Sequence, residues 1–353
     1  MPARIAEFLA GWRGLGRFWM VVLGLLGFGA VVLQSLGPPA PPRAGKTPEA
    51  DTIEPPRIIQ PELESKAPAG AIPAPAQKPG RGTPGPVTDP DPSLLDNSGL
   101  PRIAADGRPP MQVYASGFNP TTIRPRVGIV IAGIGMSEAG SEAAIRDLPP
   151  AATLAISPYA VGIDRLLASA RAAEHEYLLS IPMEPQGYPI NDPDDRHALM
   201  ASLSPDENLS RLRWALSRIA GYVGVTSALG PMRGERLAGD PEQLASMLTE
   251  VAHRGLLFVD ARPGQAALPS AWNRSVDVVI DDDPLDDAAL EARLDALTKV
   301  ARDKGSALGL VSVPRPKTLE RVAAWSNTLL AKGLILAPVS ALVLPPAKQD
   351  QDK

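Results

Sequence analysis

The sequence predicts an α/β fold: a β/α barrel of seven or eight mostly parallel strands, preceded by a transmembrane helix and a disordered Pro-rich linker. Three observations predict it. From residue 124 onward, short apolar runs rich in β-branched residues alternate with amphipathic stretches bounded by helix caps, the pattern of repeated βα units with parallel strands. Before that point lies a tract holding 20 of the 40 prolines, and before the tract an uncharged apolar run of 19 residues. An open doubly wound sheet is the alternative arrangement of the same βα units.

Residues 1–17 carry Arg4, Arg13 and Arg17, and the uncharged run 18–36 follows. Its length matches the roughly 20 residues that cross a bilayer core. The positive flank belongs on the cytoplasmic side, with Trp12, Phe18 and Trp19 at the headgroup level. The expectation is a single-pass inner-membrane anchor with a cytoplasmic N-terminus and the folded part in the periplasm. A cleaved signal peptide competes with it, although Gly37-Pro38-Pro39 offers no small-x-small cleavage site. Residues 37–123 show no sustained apolar periodicity. Such a composition does not bury enough surface to offset its ordering entropy. A tether is expected, reaching ~50 Å as a coil and ~250 Å fully extended. Residues 112–114 read as a short strand where the chain enters the domain.

The domain spans 124–345, and 346–353 read as a disordered tail. Strands are expected at 127–131, 153–156, 177–181, 222–225, 256–260, 276–280, 308–311 and 334–336. Between them, Ser204-Pro205-Asp206-Glu207 is a capping box with proline at the first helical position, opening a helix with Leu209, Leu212, Leu216 and Ile219 on one stripe. Asp240-Pro241 opens another helix that Gly255 closes, and Asp286 opens a third that Gly305 closes.

Composition excludes several function classes. A net charge of -4 argues against a nucleic-acid binder, which would carry a basic field. Without cysteine there is no disulfide and no thiolate metal site. The three histidines, His175, His197 and His253, are never three or four apart, so no paired helical ligand motif exists. Gly133-Ile134-Gly135 lacks the third glycine of a dinucleotide loop, and G-x-S-x-G is absent.

In a barrel of parallel strands, ligands meet the residues just past each strand's carboxyl end. Those are Ala132-Gly133, Ser157-Pro158, Ser180 with Pro182-Met183-Glu184, Thr226-Ser227-Ala228, Asp260 with Arg262, Asp281-Asp282-Asp283 and Ser312-Val313. The candidate ligand contacts are Glu184, Asp260, Arg262, Asp281 and Asp282; no residue reads as catalytic and no set as a metal site. Asp260 and Arg262 are spaced to pair with each other. Asp281-Asp282-Asp283 reads either as a Ca²⁺ or Mg²⁺ loop or as a solvated acidic loop before the next helix. His175 precedes the third strand and so belongs to the opposite, stability face. His197 and His253 read as surface residues.

Several stretches taken together, LPPAATLAISPYA (148–160), AAEHEYLLSIPMEP (172–185), GYVGV (221–225), RGLLFVDAR (254–262), and ARDKG (301–305) followed by PRPKTL (314–319), resemble the divergent polysaccharide deacetylase family, a NodB-like branch, across 127–343. The resemblance implies a distorted β/α barrel, polysaccharide substrates, and a divalent metal such as zinc that activates water to remove an N- or O-acetyl group. Its usual ligands do not carry over. The family's aspartate pair after the first strand is Ala132-Gly133 here. The histidine ending its third strand is Ser180, the histidine of its fourth loop is Ala228, and its Gly-His-Pro is Ser312-Val313-Pro314. The expectation is an envelope protein that binds cell-envelope polysaccharide or peptidoglycan, retains no metal or other cofactor, and does not hydrolyse its ligand. Two alternatives stay open: an active deacetylase with a relocated acidic metal site at Glu184, Asp260, Asp281 and Asp282, and a periplasmic scaffold whose groove binds nothing.

Overall fold

The computed structural model describes Trp19, Leu23 and residues 88–346, except Asp195, Pro269, Pro284 and Leu285. The chain divides into two units, Met1–Ile72 and Pro73–Lys353; the fold below belongs to the second. The expected anchor 18–36, apart from Trp19 and Leu23, the linker 37–87 and the tail from 347 lie outside the described residues. Among the described residues, no helix is long and apolar enough to cross a membrane.

The strands form one parallel sheet. The first, β1 (Arg126–Ile134), is buried along nearly its whole length because both faces of its apolar run are covered. The rest are β2 (Thr153–Ile156), β3 (Tyr177–Ser180), β4 (Gly224–Thr226), β5 (Leu257–Asp260), β6 (Asn273–Ser275), β7 (Val278–Val279), β8 (Ser306–Val311) and β9 (Ile335–Leu336). Their order is β6-β5-β4-β3-β2-β1-β8-β7, with β9 beside the start of β1. One strand was expected at 276–280; two shorter ones flank Val276 and Asp277 instead. They pair at opposite ends of the sheet, β6 with β5 and β7 with β8. A few residues of chain therefore bridge the two edges. The result is a curled parallel sheet, consistent with a distorted β/α barrel.

Helices cover the outside. Between β1 and β2 lies α2 (Glu138–Asp147), capped by the Ser137 hydroxyl on Gly140 N–H. The others are α3 (Ile163–Ala172), α4 (Pro205–Leu216), α5 (Glu235–Ala238), α6 (Pro241–His253), α7 (Asp287–Lys304) and α8 (Pro316–Ser326). The capping box at Ser204 and Glu207 forms as expected, Asp240 and Asp286 cap α6 and α7, and Gly305 ends α7 at φ +80°, a conformation glycine adopts without a Cβ penalty. Alternation along the strands sorts the core into two parts. Ile129, Ile131, Leu154, Ile156, Tyr177 and Leu179 pack outward against the helices. Val130, Ala132, Ala155, Leu178, Leu308 and Leu310 fill the interior.

The domain begins well before residue 124, which corrects the boundary expected at 123. Pro92–Leu94 form a 3-10 turn, and residues 110–113 form a short helix, α1 (Pro110–Val113), where a strand was expected at 112–114. Pro109 and Pro110 explain the difference: proline suits the first turn of a helix and withholds the N–H that a sheet ladder needs. Leu94, Tyr114 and Phe118 are buried in the interior cluster. Tyr114 Oη accepts Asp91 N–H at 2.9 Å, and Met111 N–H donates to Gly255 C=O at 3.1 Å, so this strap is hydrogen-bonded as well as packed.

Candidate functional site

The carboxyl ends of the strands converge on one mouth. At the end of β1, Gly133 adopts φ +74°. A Cβ placed on it would lie 3.2 Å from Ser312 C=O, 3.3 Å from Pro314 Cδ and 3.8 Å from Gly230 Cα. The loops after β8 and β4 thus close over the end of β1 from either side. The β4 loop turns back tightly at Gly230-Pro231, where Leu229 and Met232 exchange backbone hydrogen bonds at 2.8 and 3.2 Å. Gly230 is buried and Pro231 is exposed at the tip.

The carboxylates at the strand ends are committed to protein donors. Glu184, expected on the rim, is buried: Oε2 accepts Ala201 N–H at 2.7 Å and Oε1 lies 2.9 Å from Arg236 Nη1. Its carbonyl also accepts the N–H groups of Arg236 and Leu237, so it anchors the first turn of α5. Asp260 and Arg262 pair as their spacing suggests. Oδ1 accepts from Arg262 Nε at 3.0 Å and Oδ2 from Nη2 at 2.7 Å, while Arg262 Nη1 reaches Ala238 C=O at 2.8 Å. That fork fixes the end of β5 to α5. Asp281 is not part of a solvated loop: its side chain is fully buried and its two oxygens accept Ser312 and Val313 N–H at 2.7 and 2.9 Å. Arg315 Nη1 adds a contact at 3.3 Å. Asp282, about half exposed, pairs with Arg233 at 3.1 Å. Burial works against the Arg233 charge, but Asp282 and Glu235 outweigh it and hold its pKa above the ordinary value. Of the five candidates, only Asp282 turns a substantial part of its side chain to solvent.

Sequence reasoning missed Arg233, Arg236 and Arg315. Their signal was available: acidic residues at buried strand ends require partners, and these arginines follow β4 and β8 in the chain, Arg236 within α5. The three ion pairs made by Arg236, Arg262 and Arg315 share one orientation, with the carboxylate inside and the guanidinium nearer solvent. Arg236 and Arg315 are 58% and 47% exposed, so the rim offers planar hydrogen-bond donors to a ligand.

A hydrolytic divalent metal needs about three nitrogen or oxygen ligands in a compact cluster with an open position. Among the described residues, no group of three or more His, Asp or Glu side chains is placed to hold a metal ion. Glu184, Asp260, Asp281 and Asp282 each already serve an arginine or backbone N–H, so the relocated acidic site is not assembled. The residues present do not fit the metal that the resemblance implies.

His175 and His253 precede strands and stand away from this chemistry. His175 is fully buried below the mouth, its ring nitrogens 2.9 Å from Ala152 C=O and 3.2 Å from Ile145 C=O, the structural role expected of it. His253 is exposed. His197, expected as a surface residue, is only partly exposed and has an acidic partner in the loop after β3. Its Nδ1 lies 2.8 Å from Asp194 Oδ2 and its ring stacks on Trp214 at 3.9 Å.

Comparison with known proteins places the chain. Residues 129–343 match the family described as divergent polysaccharide deacetylase. A crystal structure of an uncharacterized protein from Agrobacterium tumefaciens C58 is similar at 34% identity and TM-score 0.63, covering 69% of this chain and 99% of that one. A family 4 carbohydrate esterase from Streptomyces lividans, in complex with acetate, covers 64% and 98% at 16% identity and TM-score 0.39, too distant to carry structural weight. No curated protein matches. The match spans most of the folded domain, and the chain belongs to the divergent polysaccharide deacetylase family.

Proposed function

We propose that this protein binds polysaccharide of the cell envelope without hydrolysing it, held at the membrane by residues 18–36 with its domain on the periplasmic side. The observation that carries the reading is the closed end of β1. The family's metal-holding aspartates would stand there, but Gly133 lies in the left-handed region with Ser312 C=O and Pro314 against the place of its side chain. A carboxylate there would meet backbone strain and require the loop after β8 to shift. Supporting this, Glu184, Asp260 and Asp281 are buried and occupied by arginines and backbone N–H groups, and Asp282 pairs with Arg233. A general base has no obvious seat among them.

What the mouth does offer is recognition. Arg236, Arg315 and the half-exposed Asp282 present donors and an acceptor along the rim, suited to sugar hydroxyls. The uncharged run after Arg17, with three arginines before it, supports the anchor. Co-sedimentation of the full chain with purified sacculi and with insoluble chitin tests binding. Retention on at least one polymer, reduced by Arg315→Gln, is expected. Absence of retention on both would leave the scaffold alternative standing.

A further inference from the structure

On the outer side of the mouth, a groove of about 550 Å³ runs between α2 and α3. Its near end is built from Gly135 and Met136, which continue β1 past Gly133, and from Val161 and Gly162 after β2; Ser169 lines its far end. Met136 Sδ lies 3.4 Å from the place of a Cβ on Gly230, so the groove and the mouth share a wall. From Gly162 to Ser169 the helix rises about 10 Å, enough to seat ligand beyond the mouth.

Two features of the groove point to a ligand class. The first is an apolar flank. Met136 is 55% and Val161 94% exposed, and Tyr159 and Ile190 are exposed as well. These four stand in the loops after β1, β2 and β3, which are consecutive in the sheet, so they border one side of the mouth rather than being scattered. The second is a set of arginines already neutralised within the protein. Arg146 is held by the neighbouring Asp147 through two hydrogen bonds of 2.8 Å, and Arg165 Nη2 bridges the two helices to Glu142 Oε1 at 2.9 Å. Neither guanidinium is left to draw an anionic ligand, while donors and acceptors stand side by side. An acyl chain or apolar peptide segment would cover those charged groups without hydrogen-bonding them. A pyranose chain supplies both a C–H face and uncharged hydroxyls, and the volume lies within the range of small-ligand sites.

We infer that the groove between α2 and α3 is a binding site for an uncharged stretch of glycan extending out of the mouth. This rests on the polysaccharide-binding reading above. The test is calorimetric titration of the full chain with N-acetylated chitooligosaccharides from disaccharide to hexasaccharide, for the wild type, Val161→Asp and Ser169→Tyr. Both positions are exposed, and thermal melting checks that the variants fold alike. Affinity should rise with length in the wild type. Both variants should match it on the disaccharide and lose roughly fivefold to tenfold on the hexasaccharide. Binding that does not depend on length, or variants equal to the wild type at every length, would overturn the groove assignment while leaving the mouth as a binding site. If the wild type binds no oligomer of the series, the polysaccharide-binding reading fails and this inference fails with it.

Discussion

At the scale of single residues, Gly133 decides the most. Its φ of +74° and the 3.2 Å approach to Ser312 C=O mean that a side chain there meets both backbone strain and backbone atoms. Gly133→Asp, which returns a carboxylate to the family's position, should destabilise the domain by about 1–3 kcal/mol. Urea unfolding of variant and wild type measures this; a neutral or stabilising substitution would show that the end of β1 has room. Asp281 is the complementary case. With two backbone N–H donors and Arg315 on a fully buried carboxylate, Asp281→Asn puts an amide N–H₂ where donors already point, and about 2–4 kcal/mol should be lost. That Ala132-Gly133, Ser180 and Ala228 replace the residues that the resemblance implies was legible in the sequence, because it needs only the identity of the residue. The roles of Glu184 and Asp281 were not. Sequence marks a carboxylate at a strand end but does not show which arginine, dozens of positions away, has already claimed it.

At the scale of elements, the helix caps were legible because they are local: Ser204 with Glu207, Asp240 and Asp286 act within three or four residues of themselves. The strap 88–123 was not, because its proline content reads as a linker and its buried side chains, Leu94, Tyr114 and Phe118, follow no period. Leu94→Ala should therefore cost about 2–5 kcal/mol, a core-sized loss from a segment that looks like tether. The strap also reaches a buried carboxylate that belongs to neither mouth nor helix. Glu176 accepts Ser116 N–H, Ser340 N–H and the hydroxyls of Thr153 and Ser340, joining the strap, β2 and the C-terminal segment. Burial pushes its pKa up in spite of these four donors. A carboxyl whose folded pKa is raised contributes stability that is complete below its unfolded value near 4.5 and lost as pH rises through the folded value. The stability difference between wild type and Glu176→Gln should accordingly shift against the wild type as pH increases from about 4, measured by denaturation at a series of pH values. An opposite slope would mean that the four hydrogen bonds outweigh burial.

At the scale of the whole molecule, the βα repeat made the parallel sheet readable, but the closure was not. The segment 273–279 pairs with β5 at one end and β8 at the other, a division that a single apolar run at 276–280 conceals. That geometry holds a mouth whose strand ends and loops are tied to one another by Arg262–Ala238, Asp281–Ser312 and Glu184–Arg236. The carboxylates at the strand ends are used to fasten loops. We propose that this domain keeps the family's fold without its hydrolysis. Acetate release from N-acetylated chitooligosaccharides and from purified sacculi decides this, with the full chain supplied with Zn²⁺, Co²⁺ or Mn²⁺ and with a chelated control. Release indistinguishable from the protein-free blank is expected under every condition. Turnover that the chelator abolishes and the added metal restores would contradict it.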